Sequence, residues 1–501
     1  MAPPTVSLWI PPPLPESDGN ATASGLVLLD RWCYIANLVN DTTAEGTTST
    51  GVRIQVTFRA ARPPLVSHFC VHCPGLDFLN AVPKVITTDA DLILLCVPVY
   101  PTIGHGRDWD YFVYSLRARR LDLIPNPNPT CLCDPATVLL SREDEDGASW
   151  YAVAALDATF PVYHGRSALV RRDFYLYLYK SNSSEGWISK VMSLSDLVRD
   201  RLIPLPDTVE DRLYHETDKS IAIGGEGGTV AWVDLWRGIL FCDVLSDCPV
   251  LHDVPLPVPA RGNWNRLLVE LDPFIFRDVT ISRNRDSIKY IETESWSPRD
   301  EQPNTAPASY TEWVRNKSRK LRVFRDGWKA TTWTMTIPVD FDDSHPLENC
   351  WHRHHSGIDV KDVTLQLDAS NACPSNLLDM LCCSNTTEML KGLQMACPII
   401  SMDDDIVYLI STIEPRHMDK FEVVLAIDVS KGVLRGLAEL DAQKDFIFKD
   451  DIVSSDICWY LSKVTGTVEP SKRTAKQHNM GHGIKPTKQE LGEPSAVHVK
   501  N

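Results

Sequence analysis

Short apolar runs with a two-residue period, most of them bounded by turns that carry Asp or Gly, constrain this chain more than any other feature. Residues 173–180 read DFYLYLYK, with Phe174, Leu176 and Leu178 alternating against Tyr175, Tyr177 and Tyr179. Residues 51–58 read GVRIQVTF, with Val52, Ile54, Val56 and Phe58 alternating against Arg53, Gln55 and Thr57. DLILLCVPV, WYAVAAL, DVTLQL and EVVLAIDV are further runs of this kind. Period two is the repeat of a strand, because successive side chains leave a pleated backbone on opposite sides. SLSDLVRDRL (193–202) and NTTEMLKGL (385–393) suggest short helices, each with a Ser or Asn near its start to cap free amides.

The turns share a chemistry. Residues 231–240 read AWVDLWRGIL and residues 425–434 read LAIDVSKGVL, so Asp234 aligns with Asp428 and Gly238 with Gly432. An Asp can accept backbone amides inside a turn, and a Gly four residues on can take a positive φ. Apolar strands flank both turns, which predicts hairpins with loops of three to four residues. Asp146-Gly147, Glu185-Gly186 and Asp326-Gly327 give looser versions. Gly147, Gly186 and Gly238 lie 39 and 52 positions apart, a spacing that suggests repeats of about 40–50 residues with several strands each. The expected fold is mainly β, a propeller-like array of antiparallel hairpins or blades with a few short helices. An array of β-sandwiches is the alternative.

Of the 501 residues, 43% are hydrophobic and 23% charged, ordinary values for a chain with a large core. The net charge of −16 argues against nucleic-acid binding by the molecule as a whole. No apolar run approaches the ~20 residues of a membrane span. Six prolines between Pro3 and Pro15 interrupt any signal-peptide core, so a cytoplasmic or nuclear location is expected. Asn-x-Ser/Thr triplets such as Asn20-Ala-Thr22 are then chance matches. The fourteen cysteines are scattered, and Cys96, Cys242 and Cys458 sit inside apolar runs as small hydrophobes. Three segments emerge: a flexible Pro-rich lead-in (1–24), a body (25–464) and a polar, basic tail (465–501) that is expected to be disordered.

The run TVAWVDLWRGILFCDVL (229–245), followed by VLHDVPLP, resembles a plant family expanded in grasses and catalogued as domain of unknown function 1618. LVLLDRWCYIANL, VSHFCVHCPG (66–75) and DYFVYSL…LDLIPNP carry the same resemblance, which covers residues 25 to 465. It implies a plant origin and an interaction scaffold related to the propellers that follow F-box motifs. It implies no activity, cofactor or substrate, and no F-box precedes residue 60.

Each candidate site also has a plain structural role. IGGEGGTVAW (223–232) has the glycines of a dinucleotide motif but runs into a strand rather than a helix, so a tight loop is expected. SHFCVHCPG offers His68, Cys70, His72 and Cys73, and ENCWHRHHSG offers Cys350, His352, His354 and His355. Neither has the paired spacing of a zinc site, and Cys131-x-Cys133 and Cys382-Cys383 are too tight. No G-x-S-x-G elbow or catalytic Cys signature occurs. Glu143-Asp144-Glu145-Asp146 and Asp403-Asp404-Asp405 read as solvated turns. No catalytic, metal or cofactor-binding residue is therefore assigned. The basic stretch WVRNKSRKLRVFRDGWK (313–329) interleaves Trp313, Phe324 and Trp328 with cations.

The expected function is a non-enzymatic scaffold for an unidentified protein partner. Trp236 and Arg237, at the tip of the signature turn, and Arg315, Arg319 and Lys320 are the candidate contacts. One alternative is an enzyme with its site in a propeller channel. Another is weak nucleic-acid association through 313–329 and the tail. The apolar run 456–464 is expected to help close the ring.

Overall fold

In the computed structural model the period-two runs become strands of six small sheets arranged in a ring, the architecture of a six-bladed β-propeller. The structure describes residues 9–14, 25–78, 81–100, 109–127, 132, 134–158, 162–164, 167–169, 173–194, 215–263, 272–295, 327–338, 350–353, 357–366, 390, 393, 395–413, 421–440 and 452–464. Blade 2 shows the plan. Lys84–Asp89 lies innermost, and Leu92–Pro98, Trp109–Ser115 and Arg120–Ile124 follow outward as an antiparallel meander. Blade 3 starts from Thr137–Glu143, blade 4 from Lys219–Gly224, blade 5 from Arg277–Ile281 and blade 6 from Ala396–Ile400. These inner strands contact one another in that order around the ring.

Blade 1 is built from both ends of the body. Its inner strand is Ile452–Ser455, paired antiparallel with Val27–Asp30 in the register Leu29↔Val453. Val66–His72, Arg53–Arg59 and Ala44–Thr47 continue outward. A hydrogen bond between the Thr88 and Ser455 hydroxyls, 3.0 Å, ties this strand to blade 2 and completes the circle. The closing strand thus lies just before the run expected to close the ring. Within that run, Cys458–Val464 forms a short helix, α1. Ile457 and Cys458 are buried against blades 1 and 2, so these apolar residues anchor the helix rather than extend a sheet.

A propeller buries both faces of each blade between its neighbours, which explains why DFYLYLYK alternates aliphatic with aromatic residues. Phe174, Leu176 and Leu178 pack toward Val230, Trp232 and Leu240 of blade 4. Tyr177 and Tyr179 pack toward Val113 of blade 2 and Tyr151 of blade 3. The core is accordingly a series of layers between blades.

The turns correct two expectations. Gly147 joins first to second strands, Gly186 third to fourth, and Gly238 second to third. Their spacing therefore marks no blade repeat, although a blade repeat exists. Likewise the Asp234 turn follows a second strand and the Asp428 turn a third strand, so the two lie at opposite ends of their blades. Their local chemistry is nonetheless shared. Asp234 Oδ1 accepts the Trp236 and Arg237 amides at 3.0 and 3.1 Å, and Asp428 Oδ1 accepts the Lys431 amide at 3.1 Å. Gly432 takes a φ of +67°, and a Cβ there would lie 2.9 Å from the Asp362 carbonyl oxygen. Gly238 does not take a positive φ, because the tighter three-residue loop pairs it directly with Asp234.

Of the lead-in, Trp9 is held: its ring centroid lies 6.1 Å from that of Trp32, and its carbonyl accepts the Ile35 amide at 2.9 Å. Most of the two expected helices, and the whole of the tail from 465, lie outside the described residues.

Candidate functional site

Because every inner strand runs the same way, the turns that leave them gather on one face. There Arg285, in the Ser282–Asp286 turn of blade 5, donates from Nη2 to Asp89 Oδ1 at the end of the blade 2 inner strand. Blades 2 and 5 stand three places apart in a ring of six, so this ion pair crosses the channel. Arg285 Nη1 also reaches the Ala222 and Ile223 carbonyls of blade 4, at 3.4 and 3.5 Å. Asp89 Oδ2 accepts the Ser141 amide of blade 3 at 2.7 Å. Four blades are thus joined through two side chains, and Arg285 holds a φ of +58° to make the reach.

Asp456 follows the closing strand and senses both charges. Burial raises its carboxyl to about 6; Arg285 pulls it down and Asp89 pushes it up. Next to it the Arg283 guanidinium lies 3.9 Å from the Trp459 ring centroid in α1 and 3.1 Å from Asp403 Oδ2. Folding lifts Asp456 above its ordinary 3.8, so the native state holds the proton more tightly than the unfolded chain. The associated stability is fully present below pH ~4 and is lost as pH rises through ~6. Asp456→Asn should therefore raise stability by about 1–3 kcal/mol at pH 7.5 and leave it nearly unchanged at pH 4, as read from urea melts at both pH values.

A cleft of about 520 Å³ opens on the same face between blades 6 and 1. The Ser401–Asp405 turn supplies an acidic wall, and Arg62 with Pro63 forms the far side. Asp403–Asp405 form an exposed turn, as expected. Partial burial still raises the Asp403 carboxyl against the pull of Arg283, and Lys289 donates to the Ser401 and Asp404 carbonyls at 3.2 and 2.9 Å. Burial opposes the charge on Asp428, but hydrogen bonds from Ser430, Arg435 and Lys431 hold its carboxyl at about 2. The Glu143–Asp146 turn is exposed, as expected.

The signature turn lies at the opposite end and is buried. Trp236 is 1% exposed and Arg237 2%, so they are not an exposed tip. The reason is Arg277, which starts the blade 5 inner strand. Its Nη1 donates to the Leu235 and Trp236 carbonyls at 2.9 and 3.0 Å, and its guanidinium lies 4.9 Å from the Trp236 ring centroid. Arg277 in turn pairs with buried Glu292 at 3.2 Å. Glu292 also accepts from Ala260 N, Asn263 Nδ2 and the Tyr290 hydroxyl. The motif therefore locks blade 4 to blade 5.

Arg315, Arg319 and Lys320 lie outside the described residues, and Trp328, at the end of that basic stretch, is buried in a blade 5 strand. The glycines of 223–228 form the loop between Lys219–Gly224 and Thr229–Asp234, as expected. His68 and Cys70 are buried within Val66–His72, and no group of three or more metal-ligating side chains occurs among the described residues. His354, His355, Cys131, Cys133, Cys382 and Cys383 lie outside them. No described helix is long and apolar enough to cross a membrane. Sequence reading missed Asp89, Arg285 and Asp456. Nothing local marks them, since the first two are 196 positions apart and meet only through the ring.

No curated protein matches the chain in sequence. Among solved structures, hydrazine synthase of Kuenenia stuttgartiensis is similar at 10% identity, over 79% of this chain and 80% of that one, with a TM-score of 0.27. A mutant of the GH43 protein BlXynB from Bacillus licheniformis is similar at 9% identity, over 72% and 52% of the two chains, with a TM-score of 0.23. Residues 232–408, which begin inside the signature run and end in blade 6, match the family described as protein of unknown function, DUF1618.

Proposed function

We propose that this chain is a non-enzymatic interaction module that binds a protein partner through the face where its inner strands end. The observation that carries this reading is the Arg285–Asp89 pair across the channel. A propeller enzyme needs a polar pocket there, and this one is spanned by groups that already satisfy each other. Around it, short turns hold charged groups on a rigid rim, an arrangement suited to recognition. The family resemblance supports a plant source. The buried, unpaired thiols of Cys70, Cys96, Cys242 and Cys458 support a reducing, cytoplasmic or nuclear compartment.

The test is affinity capture from plant extract with identification of the bound proteins. Arg117→Glu with Asp144→Lys alters exposed turns of the rim, and Val258→Glu alters the opposite face. A protein held by the wild type and by Val258→Glu, but lost from the rim double variant, is the expected result. Identical capture by all three chains would overturn the reading. An enzymatic reading has one observation in its favour, the raised Asp456 carboxyl beside the channel mouth. It requires Asp456→Asn to abolish turnover of some substrate, whereas the interaction reading requires capture to survive that substitution.

A further inference from the structure

The cleft between blades 6 and 1 holds charges of both signs, and most of them already have partners. Asp428 is occupied by Lys431 at 3.1 Å and Arg435 at 3.0 Å. Lys289 donates to two carbonyls and its ammonium also faces Asp405, Asp404 and Asp403, while Asp403 is paired with Arg283. Four groups remain. The Asp405 carboxylate has no ion pair or hydrogen bond among the described residues, and Asp404 uses only Oδ1, to accept the Ile406 amide at 3.1 Å. Across the cleft the exposed Arg62 side chain has no ion pair among the described residues.

The fourth group is Tyr408. It is 4% exposed, lines the cleft, and its hydroxyl has no hydrogen-bond partner among the described residues. The ring is buried while the hydroxyl stays accessible, free to donate and accept in the cleft. Burial raises this phenol most, Asp404 and Asp403 raise it further, and Arg62 lowers it. Asp404, Asp405, Arg62 and Tyr408 thus line one cleft. The volume suits a small polar ligand or one or two residues of a peptide.

We infer that this cleft binds a zwitterionic ligand, with an ammonium or guanidinium group against Asp404 and Asp405, a carboxylate at Arg62, and the Tyr408 hydroxyl bonding between them. Two sources carry that chemistry: a free basic amino acid, and a peptide segment with Arg or Lys beside an acidic residue. The ligand bridges the last blade to the first, so binding stabilises ring closure and raises the melting temperature. The peptide source rests on the protein-partner reading and the free amino acid does not; in either case loss of zwitterion binding leaves capture by the rim turns of blades 2 and 3 untouched, so the two readings fail separately.

The experiment is calorimetric titration of the full chain with L-arginine, with a blocked peptide containing an Arg-Glu pair, and with agmatine, which keeps the guanidinium and lacks the carboxylate. Arginine alone binding identifies a small-molecule site, and the peptide alone binding identifies a segment of a partner; either supports the inference. Asp404→Asn with Asp405→Asn should weaken binding of the active probe by about tenfold or more. Arg62→Gln should weaken it about tenfold while leaving agmatine within about twofold. Tyr408→Phe, which keeps the buried ring, should weaken it by a few-fold. Melting curves confirm that each variant is folded. No binding of arginine or peptide to the wild type at millimolar concentration would overturn the inference. So would binding that persists in the Asp404/Asp405 variant, or that does not depend on Arg62.

Discussion

Replacing Glu292 by alanine should lower the unfolding free energy by about 3–5 kcal/mol, measured by urea denaturation at neutral pH. Both partners of the Arg277–Glu292 pair are essentially inaccessible, with side-chain exposures of 0% and 1%. Removing the carboxylate leaves a guanidinium buried beside Trp236 and Tyr290 with no counter-charge. It also takes away an acceptor from the Ala260 amide, Asn263 Nδ2 and the Tyr290 hydroxyl. An exposed pair behaves differently: Arg53–Glu45, 2.5 Å long but with exposures of 76% and 53%, should change stability by less than ~1 kcal/mol when broken. Glu292→Gln keeps an acceptor and should lose less than Glu292→Ala. The loss should be nearly independent of salt, because the site is shielded from mobile ions. A loss below ~1 kcal/mol would show that the blade 4–blade 5 junction does not rest on this network.

The second large effect concerns the ring itself. A chain ending at Asp451 should lose its single cooperative unfolding transition, while one ending at Thr465 should keep it. Removing Ile452–Ser455 exposes the backbone edge of Val27–Asp30 and deletes the Thr88–Ser455 bond. It also withdraws Val453, Ile457 and Cys458 from the layer between blades 1 and 2, and Ile452 from the layers lined by blade 6. An open ring leaves two apolar blade faces in water, and stability then divides among separate units.

The strands were legible in the sequence because their cause is local. Period-two patterning follows from the pleat, and DFYLYLYK and GVRIQVTF both form strands over nearly the spans read from them. Turn chemistry was legible too, since Asp234 and Asp428 bond amides within three residues of themselves. The ring was inferred partly for the wrong reason: glycines at non-equivalent turns happened to be spaced like blades. What stayed hidden was everything set by distant partners. Nothing in the local run WVDLWRG reveals that Arg277, 41 positions away, buries Trp236. Nothing in SRNRDS reveals that Arg285 meets Asp89 across the channel. The closing strand was misplaced by a few residues because IVSS is short and polar, while ICWYLSKV is long and apolar. Length and hydrophobicity favoured the segment that packs as a helix.

The most direct test of the closed ring is a disulfide trap at the register pair Leu29↔Val453. Facing residues on antiparallel strands stand about 4.5–5.5 Å apart at Cα, within disulfide range. The chain carrying Leu29→Cys and Val453→Cys is oxidised in its native state and digested, and the cross-linked peptides are identified by mass spectrometry. A closed ring requires a 29–453 cross-link in the native protein and its absence when oxidation follows denaturation in urea. No 29–453 cross-link in the native protein, with either cysteine joined instead to other positions, would contradict closure by the C-terminal strand.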